Sequence, residues 1–175
     1  MNRLEKALMV AENAHKNQSY GLFPYIFHIK EVVNEAINLG CDEITLISCA
    51  LHDVIEDSEL SFNDIKKHFG EEVAEVVYCV TDELGRNRKE KKLKTYPKIK
   101  NNWRATLVKI CDRISNIKKC KIYDHKKLEM YTKESEEFYN QIFNENHIEE
   151  NQQELLNKAW KNLDFLMLEV KNNIN

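Results

Sequence analysis

The sequence predicts an all-α helical bundle. Three observations lead there. Only two prolines and four glycines interrupt 175 residues, apolar residues recur every three or four positions along most of the chain, and no run alternates apolar with polar as a half-buried strand would. The chain is long enough to bury a core within one domain, residues 1–175.

Each element follows from local signals. Leu4, Ala7, Leu8, Val10, Ala11 and Ala14 mark a first amphipathic helix ending near Lys16. A loop from Ser19 to Pro24 leads to a second helix, Ile26 to Leu39, stopped by Gly40. Asp42 reads as the N-cap of a third helix, whose apolar run Ile44 to Leu51 continues into His52-Asp53-Val54-Ile55-Glu56-Asp57. Ser61, with Asp64 three residues on, opens a shorter helix to Phe69-Gly70, and another spans Glu71 to Thr81. After Gly85 comes a charged stretch, Arg86 to Lys100, and then a buried helix from Asn102 to Lys119. Two longer amphipathic helices, near His125 to Phe143 and Glu149 to Val170, complete the chain. The softest boundary, Asn144-Glu145-Asn146, is too weak to divide domains.

Composition narrows the function classes. Hydrophobic residues at 42% and charged residues at 31% are those of a globular chain. A formal net charge of -3 argues against a general nucleic-acid or membrane binder. The five cysteines, Cys41, Cys49, Cys79, Cys111 and Cys120, have no CxxC spacing and read as reduced core thiols of a cytosol. The start, Met1 to Lys6, lacks a signal-like apolar stretch, and no window approaches the roughly 18 apolar residues of a membrane span. A cytoplasmic protein is expected.

The chemistry concentrates at the end of the third helix. Stripping an ionisable group from water costs several kcal/mol unless something pairs with it, and four such groups stand within six residues here. On a continuous helix His52 and Glu56 are i,i+4, Asp53 and Glu56 are i,i+3, and Asp53 and Asp57 are i,i+4, so all share a face. Adjacent His and Asp suit a divalent cation, and the following acidic pair suits proton transfer. Further donors lie elsewhere in apolar helix segments: His28 between Phe27 and Ile29, and Asp112 after Ile110-Cys111. Alone, His28 reads equally as a hydrogen-bonded core histidine, and Asp112 as the partner of Lys109 or Arg113. Together with His52 and Asp53 they offer two imidazoles and two carboxylates. That mixture favours one Mn²⁺, Fe²⁺ or Zn²⁺ over Mg²⁺ or Ca²⁺, with Mn²⁺ first. His15 is expected to pack or hydrogen-bond near the loop, and His68, His125 and His147 to lie in polar surroundings.

These residues resemble the HD superfamily of metal-dependent phosphohydrolases, and within it the hydrolase domain of RelA/SpoT-type alarmone enzymes and their small single-domain relatives. The matching segments are Ala14-His15 with Gln18, Pro24-Tyr25-Ile26 with His28, Leu51 to Asp57, Phe69-Gly70-Glu71-Glu72-Val73, and Leu107 to Asn116. They occupy a motif-bearing core of about residues 1–120, with C-terminal helices over 121–175. The resemblance implies an HD-domain helical bundle with His28, His52, Asp53 and Asp112 as metal ligands. It implies Glu56 and Asp57 as the catalytic acidic pair and Asn116 as a contact to the substrate's sugar. The reaction implied is hydrolysis of a nucleotide by metal-activated water, as in a (p)ppGpp-like 3′-pyrophosphohydrolase. The alternatives are a phosphomonoesterase or phosphodiesterase on another nucleotide, or a non-catalytic nucleotide sensor.

One departure from the alarmone enzymes concerns the base. They usually carry a basic pair between Gln18 and the Pro-Tyr segment, where it contacts guanine, and this chain has Ser19-Tyr20 there. Tyr20 is then expected either to stack on a base in its place or, equally, to pack the loop. Arg86 to Lys100 holds eight Lys or Arg against the single acid Glu90, which raises Arg86, Arg88 and Lys89 as phosphate contacts beside a solvated-face reading, with Tyr96 available to stack or hydrogen-bond. Lys109 and Arg113 flank Asp112 and either support it or face the substrate. Trp160, Leu163, Leu166 and Met167 either pack the bundle or form a homodimer contact.

Overall fold

Asn2 opens the first helix, α1 (Arg3–Ala14), by accepting the Glu5 backbone N–H while the Glu5 carboxylate returns to the Asn2 N–H. This reciprocal cap satisfies two donors that a helix start leaves orphaned. The computed structural model describes residues 1–143 and 149–174. After α1 come α2 (Ile26–Leu39), α3 (Glu43–Leu51), α4 (Val54–Asp57), α5 (Phe62–Phe69), α6 (Glu71–Val80), α7 (Arg88–Lys100), α8 (Trp103–Tyr123), α9 (His125–Lys133), α10 (Ser135–Ile142) and α11 (Glu150–Ile174). The expected all-α architecture stands, and the expected caps form: Asp42 accepts from Thr45, Ser61 and Asp64 make a second reciprocal box, and Gly40 closes α2 at φ 87°.

The structure departs from the expected elements at three places. Between α1 and α2, where a plain loop was expected, β1 (Ser19–Tyr20) pairs antiparallel with β2 (Phe23–Pro24). Two-residue strands carry no alternating pattern for a sequence to display. Gly21 turns the ribbon at φ 68°, and a Cβ there would also stand 3.0 Å from Lys119 Nζ. The third helix does not run through Asp57 but ends at Leu51, and α4 restarts after Asp53. The His52 ring donates from Nδ1 to the Cys49 carbonyl at 2.8 Å, competing for the acceptor that the Asp53 N–H would use in a continuous helix. The expected helix over 125–143 breaks at Glu134, between α9 and α10. The soft boundary at 144–146 and His147 lie outside the described residues.

The core is organised around α8. Leu107, Val108, Ile110, Cys111, Ile114 and Ile117 are buried on nearly every side of it, against α2, α3, α6, α7, α9 and α11. A helix so enclosed can hold a polar residue only where something pairs with it, and Asp112, Arg113 and Ser115 are all buried on it. Trp160, Leu163, Leu166 and Met167 pack α11 against this bundle and are at most 7% exposed, so their apolar face is part of the core. No described helix is long and apolar enough to cross a membrane.

Candidate metal centre and active site

Four side chains from three parts of the chain meet at one point. His28 sits in the first turn of α2, His52 and Asp53 in the break between α3 and α4, and Asp112 in the middle of α8. His28 Nε2 is 3.3 Å from Asp112 Oδ1, which is also 3.8 Å from His52 Nε2. His52 Nε2 lies 2.9 Å from Asp53 Oδ2. His28, His52 and Asp53 each offer a donor atom within 4.8 Å of the others.

The outer hydrogen bonds decide which nitrogen each ring presents. His28 Nδ1 meets Ser115 Oγ at 3.1 Å, and Ser115 Oγ donates to Glu31 Oε2 at 3.1 Å, so Nδ1 carries the proton. His52 Nδ1 donates to the Cys49 carbonyl. Both rings therefore turn Nε2 to the shared point, the tautomer that a metal-ligating imidazole needs. His52 Nε2 is buried and, despite its closeness to Asp53, lies off the line of a hydrogen bond and has no hydrogen-bond partner. Tyr25 fixes Asp53 by donating to Oδ2 at 2.5 Å. Burial works against a charged His52, yet Asp53 and then Asp112 lift its pKa to about 9. The two carboxylates thus draw positive charge to this point, and the donor set fits a divalent ion.

Asp112 divides its two oxygens between different partners. Its Oδ1 faces the histidines, while Oδ2 accepts from Lys109 Nζ at 3.0 Å. Burial opposes its ionised form, but Lys109 and the histidines hold the carboxyl well below the usual range. The ion-pair reading of Asp112 is therefore realised through Oδ2, while Oδ1 faces the two histidines.

Beside the four donors opens a cleft lined by charges of both signs. Asp53, Glu56, Asp57, Asp82 and Asp112 line it together with Arg88, Lys92, Lys109 and Arg113, and with Tyr25, Tyr96, Asn116 and Tyr131. Burial, then the neighbouring Asp82, raises the pKa of Glu56; burial, then Asp53, raises that of Asp57. The Gln18 amide donates to the Asp57 carbonyl at 3.1 Å and accepts from His15 Nδ1 at 2.7 Å, the local hydrogen bonding expected of His15. Three of the cleft's cations, Arg88, Lys92 and Arg113, converge on the Glu134 carboxylate. Burial pushes the Lys92 ammonium down to about 8. Arg113 lies 4.6 Å from the centre of the Tyr131 ring and 4.2 Å from that of Phe138.

Several expected contacts are relocated. Arg86 and Lys89 are exposed and do not line the cleft; Arg86 bonds Glu90 at 3.1 Å instead. The helix begins only at Arg88, and its register turns Arg88 and Lys92, one turn apart, into the cleft. Tyr96 lies buried at the cleft floor, edge-on to Phe138. Tyr20 does not line the cleft; its ring stacks on His28. Glu31, Ser115, Asp82, Lys92 and Glu134 went unread. For Glu31 a signal existed, three residues after His28 on the same helix face; the others depend on how separate helices meet.

The HD domain profile matches residues 7–148 of this chain. The chain belongs to the HD domain family. Among curated relatives, this HD domain is 32% identical over 142 residues to a guanosine-3′,5′-bis(diphosphate) 3′-pyrophosphohydrolase of Aquifex aeolicus, covering 78% of this chain and 20% of the relative. It is 36% identical over 98 residues to a Drosophila melanogaster protein of the same description, covering 54% of this chain and 55% of the relative. With the bifunctional (p)ppGpp synthase/hydrolase SpoT of Escherichia coli it shares 34% over 126 residues, 67% of this chain and 18% of that one. The chain thus spans between about a fifth and about half of these relatives' lengths. A solved metazoan ortholog of SpoT that hydrolyzes ppGpp superposes with a TM-score of 0.71 at 23% identity, covering 93% of this chain and 96% of that one. A crystal structure from Listeria monocytogenes superposes at 0.61 and 20% identity, covering 82% and 98%. Both share the HD domain's fold.

Proposed function

We propose that this HD domain is a metal-dependent phosphohydrolase of the (p)ppGpp 3′-pyrophosphohydrolase type, acting on a nucleotide that carries phosphate at two positions. The observation that carries the reading is the convergence of four ligand donors in a cleft that also holds cations. Two imidazole Nε2 atoms and the Asp53 and Asp112 carboxylates come together beside Glu56 and Asp57, and the same cleft is lined by Arg88, Lys92 and Arg113. The relatives' activities support it.

His28, His52, Asp53 and Asp112 would hold the ion, Mn²⁺ first and Fe²⁺ or Zn²⁺ as alternatives. Bound there, it supplies a Lewis acid and activates water. The chain's own residues do the rest. Glu56, whose affinity for a proton is raised by burial and Asp82, takes a proton during attack and returns it to the leaving oxygen. Asp57, raised by burial and Asp53, is the second carboxyl of the cleft suited to hold a proton. Arg88, Lys92 and Arg113 bind the second phosphate group, and the Lys109 ammonium offsets the charge gathered at Asp112 and Asp53.

The placement of Tyr20 favours a second reading for the base alone. Its hydroxyl and ring are engaged within the protein, so guanine recognition through this position is not provided, and the second reading is a nucleotide with another base, a monoester or diester of it being the alternative substrate. Product analysis separates the two. Incubated with Mn²⁺ and guanosine 3′,5′-bis(diphosphate), the protein should release pyrophosphate; orthophosphate from other nucleotides would support the second reading. No release from any phosphorylated nucleotide with Mn²⁺, Fe²⁺ or Zn²⁺ would leave a nucleotide sensor.

A further inference from the structure

The Ser19–Pro24 ribbon delivers Tyr20 to the back of the metal centre rather than to the cleft. Its ring stacks on His28 with centroids 4.5 Å apart and planes 31° apart. Its hydroxyl donates to Asn116 Oδ1 at 2.8 Å. Asn116 in turn donates through Nδ2 to Asp112 Oδ1 at 2.5 Å and to the Asp112 carbonyl at 3.0 Å. The direction of this relay is forced. An ionised Asp112 only accepts, so Asn116 must turn its NH₂ toward it and its oxygen toward Tyr20, whose O–H is the remaining donor.

One side chain therefore touches two of the four expected ligands, His28 directly and Asp112 through Asn116. Lys119 sets its ammonium over the same ring, and Gly21 beside it leaves room for that lysine where any Cβ would crowd it. With stack, hydroxyl and cation contact all taken, Tyr20 has little left to offer a ligand. Asn116 is likewise occupied at both ends of its amide.

We propose that Tyr20 is a positioning residue of the metal centre, holding the His28 ring by stacking and the Asp112 carboxylate through Asn116, and that Asn116 serves Asp112 before it serves substrate. This rests on reading the four donors as a metal site. Outer contacts of this kind are worth about 10- to 100-fold in metal affinity or activity when removed.

The test is Mn²⁺ affinity by isothermal titration, without substrate, for wild type, Tyr20→Phe and Tyr20→Ala, beside the melting temperature of each metal-free protein. Tyr20→Phe keeps the stack and loses the relay. It should bind Mn²⁺ about tenfold more weakly, with its metal-free melting temperature unchanged. Tyr20→Ala, losing both, should bind more weakly still. At saturating Mn²⁺, Tyr20→Phe should restore the wild-type KM for whatever nucleotide is cleaved. Affinity for Mn²⁺ within twofold of wild type in Tyr20→Phe would overturn the proposal, as would a raised KM that saturating metal does not correct, since that marks a substrate contact. Wild type that takes up none of Mn²⁺, Fe²⁺ and Zn²⁺ would remove the metal centre and this inference with it. Wild type that binds Mn²⁺ but cleaves no nucleotide would remove only the phosphohydrolase reading, and the affinities would still decide Tyr20.

Discussion

Glu56 and Asp57 stand next to the expected ligands, yet their surroundings push their carboxyls in the opposite direction, which suits the different work proposed for them. Asp112 is held ionised by Lys109 and the two histidines against the cost of burial, whereas burial, reinforced by Asp82, favours the protonated form of Glu56. Glu56→Gln should keep Mn²⁺ affinity while lowering kcat by about 10²- to 10⁴-fold, the usual size of a lost acid–base group; turnover equal to wild type would exclude Glu56 as the base. The working form of that base is ionised, so the rate should climb with pH through its raised pKa. Asp82→Asn removes the second cause of that raise and should slide the acidic limb of the kcat profile to lower pH, with an unmoved limb assigning it to another group. How much of this was legible in the sequence follows from what each residue needs. His28, His52, Asp53 and Asp112 could be read because an ionisable side chain inside an apolar helical run has few physical justifications. Arg86 and Lys89 misled because a run of cations says nothing about which turn of a helix faces inward until the helix start is known. Ser115 and Glu31 act through an O–H chain between helices, and neither residue type signals that by itself.

At the scale of elements, the breaks matter more than the helices. Helix starts and stops were legible because their signals are local, as at Asn2, Asp42, Gly40 and Ser61. The interruptions at His52-Asp53 and at Glu134 were not: at the first a side chain takes a carbonyl of its own helix, and at the second a carboxylate meets cations from other helices. Glu134 is the clearer case. Its carboxylate gathers Arg88 and Lys92 from α7 and Arg113 from α8 to the junction of α9 and α10. Burial opposes its charge, but Arg88 and Lys92 bring its pKa from 4.5 to about 2. A depressed carboxylate stabilises the fold above its unfolded pKa and loses that contribution as pH falls through the folded one, here between 4.5 and about 2. The difference sets a ceiling of about 3 kcal/mol. Glu134→Gln should therefore lower the melting temperature at neutral pH and flatten its fall below pH 4.5. A variant with the wild-type acid profile would show that the three cations are not held together by this residue. Since the same cations face the cleft, inorganic pyrophosphate should restore part of the lost stability.

At the scale of the whole molecule, the centre joins parts of the chain that are far apart in sequence. His28 belongs to α2, His52 and Asp53 to the end of α3, and Asp112 to α8, and α11 closes over α8 and α2 with Trp160, Leu163 and Met167. A ligand held between α2, α3 and α8 binds only the folded chain, so it should stabilise the whole domain. At about 100 times its Kd, Mn²⁺ would add about 2.7 kcal/mol, worth about 5–10 °C in a domain of this size. The pH dependence carries more information than the size. In the metal-free protein the carboxylates hold a proton on His52 up to about pH 9, above its ordinary 6.5. A raised pKa of this kind stabilises the fold fully below the unfolded value, and the contribution disappears as pH rises through the folded one. The metal-free protein should thus lose stability between pH 6.5 and about 9. A metal needs that same nitrogen unprotonated, so over this window its binding tightens while the proton's contribution fades. The gap between melting temperatures with and without Mn²⁺ should therefore widen as pH rises, and the double variant His52→Ala, Asp53→Ala should show neither the gap nor its slope. A gap that is constant across the window would mean that proton and metal do not compete at His52, and that the cation sits elsewhere.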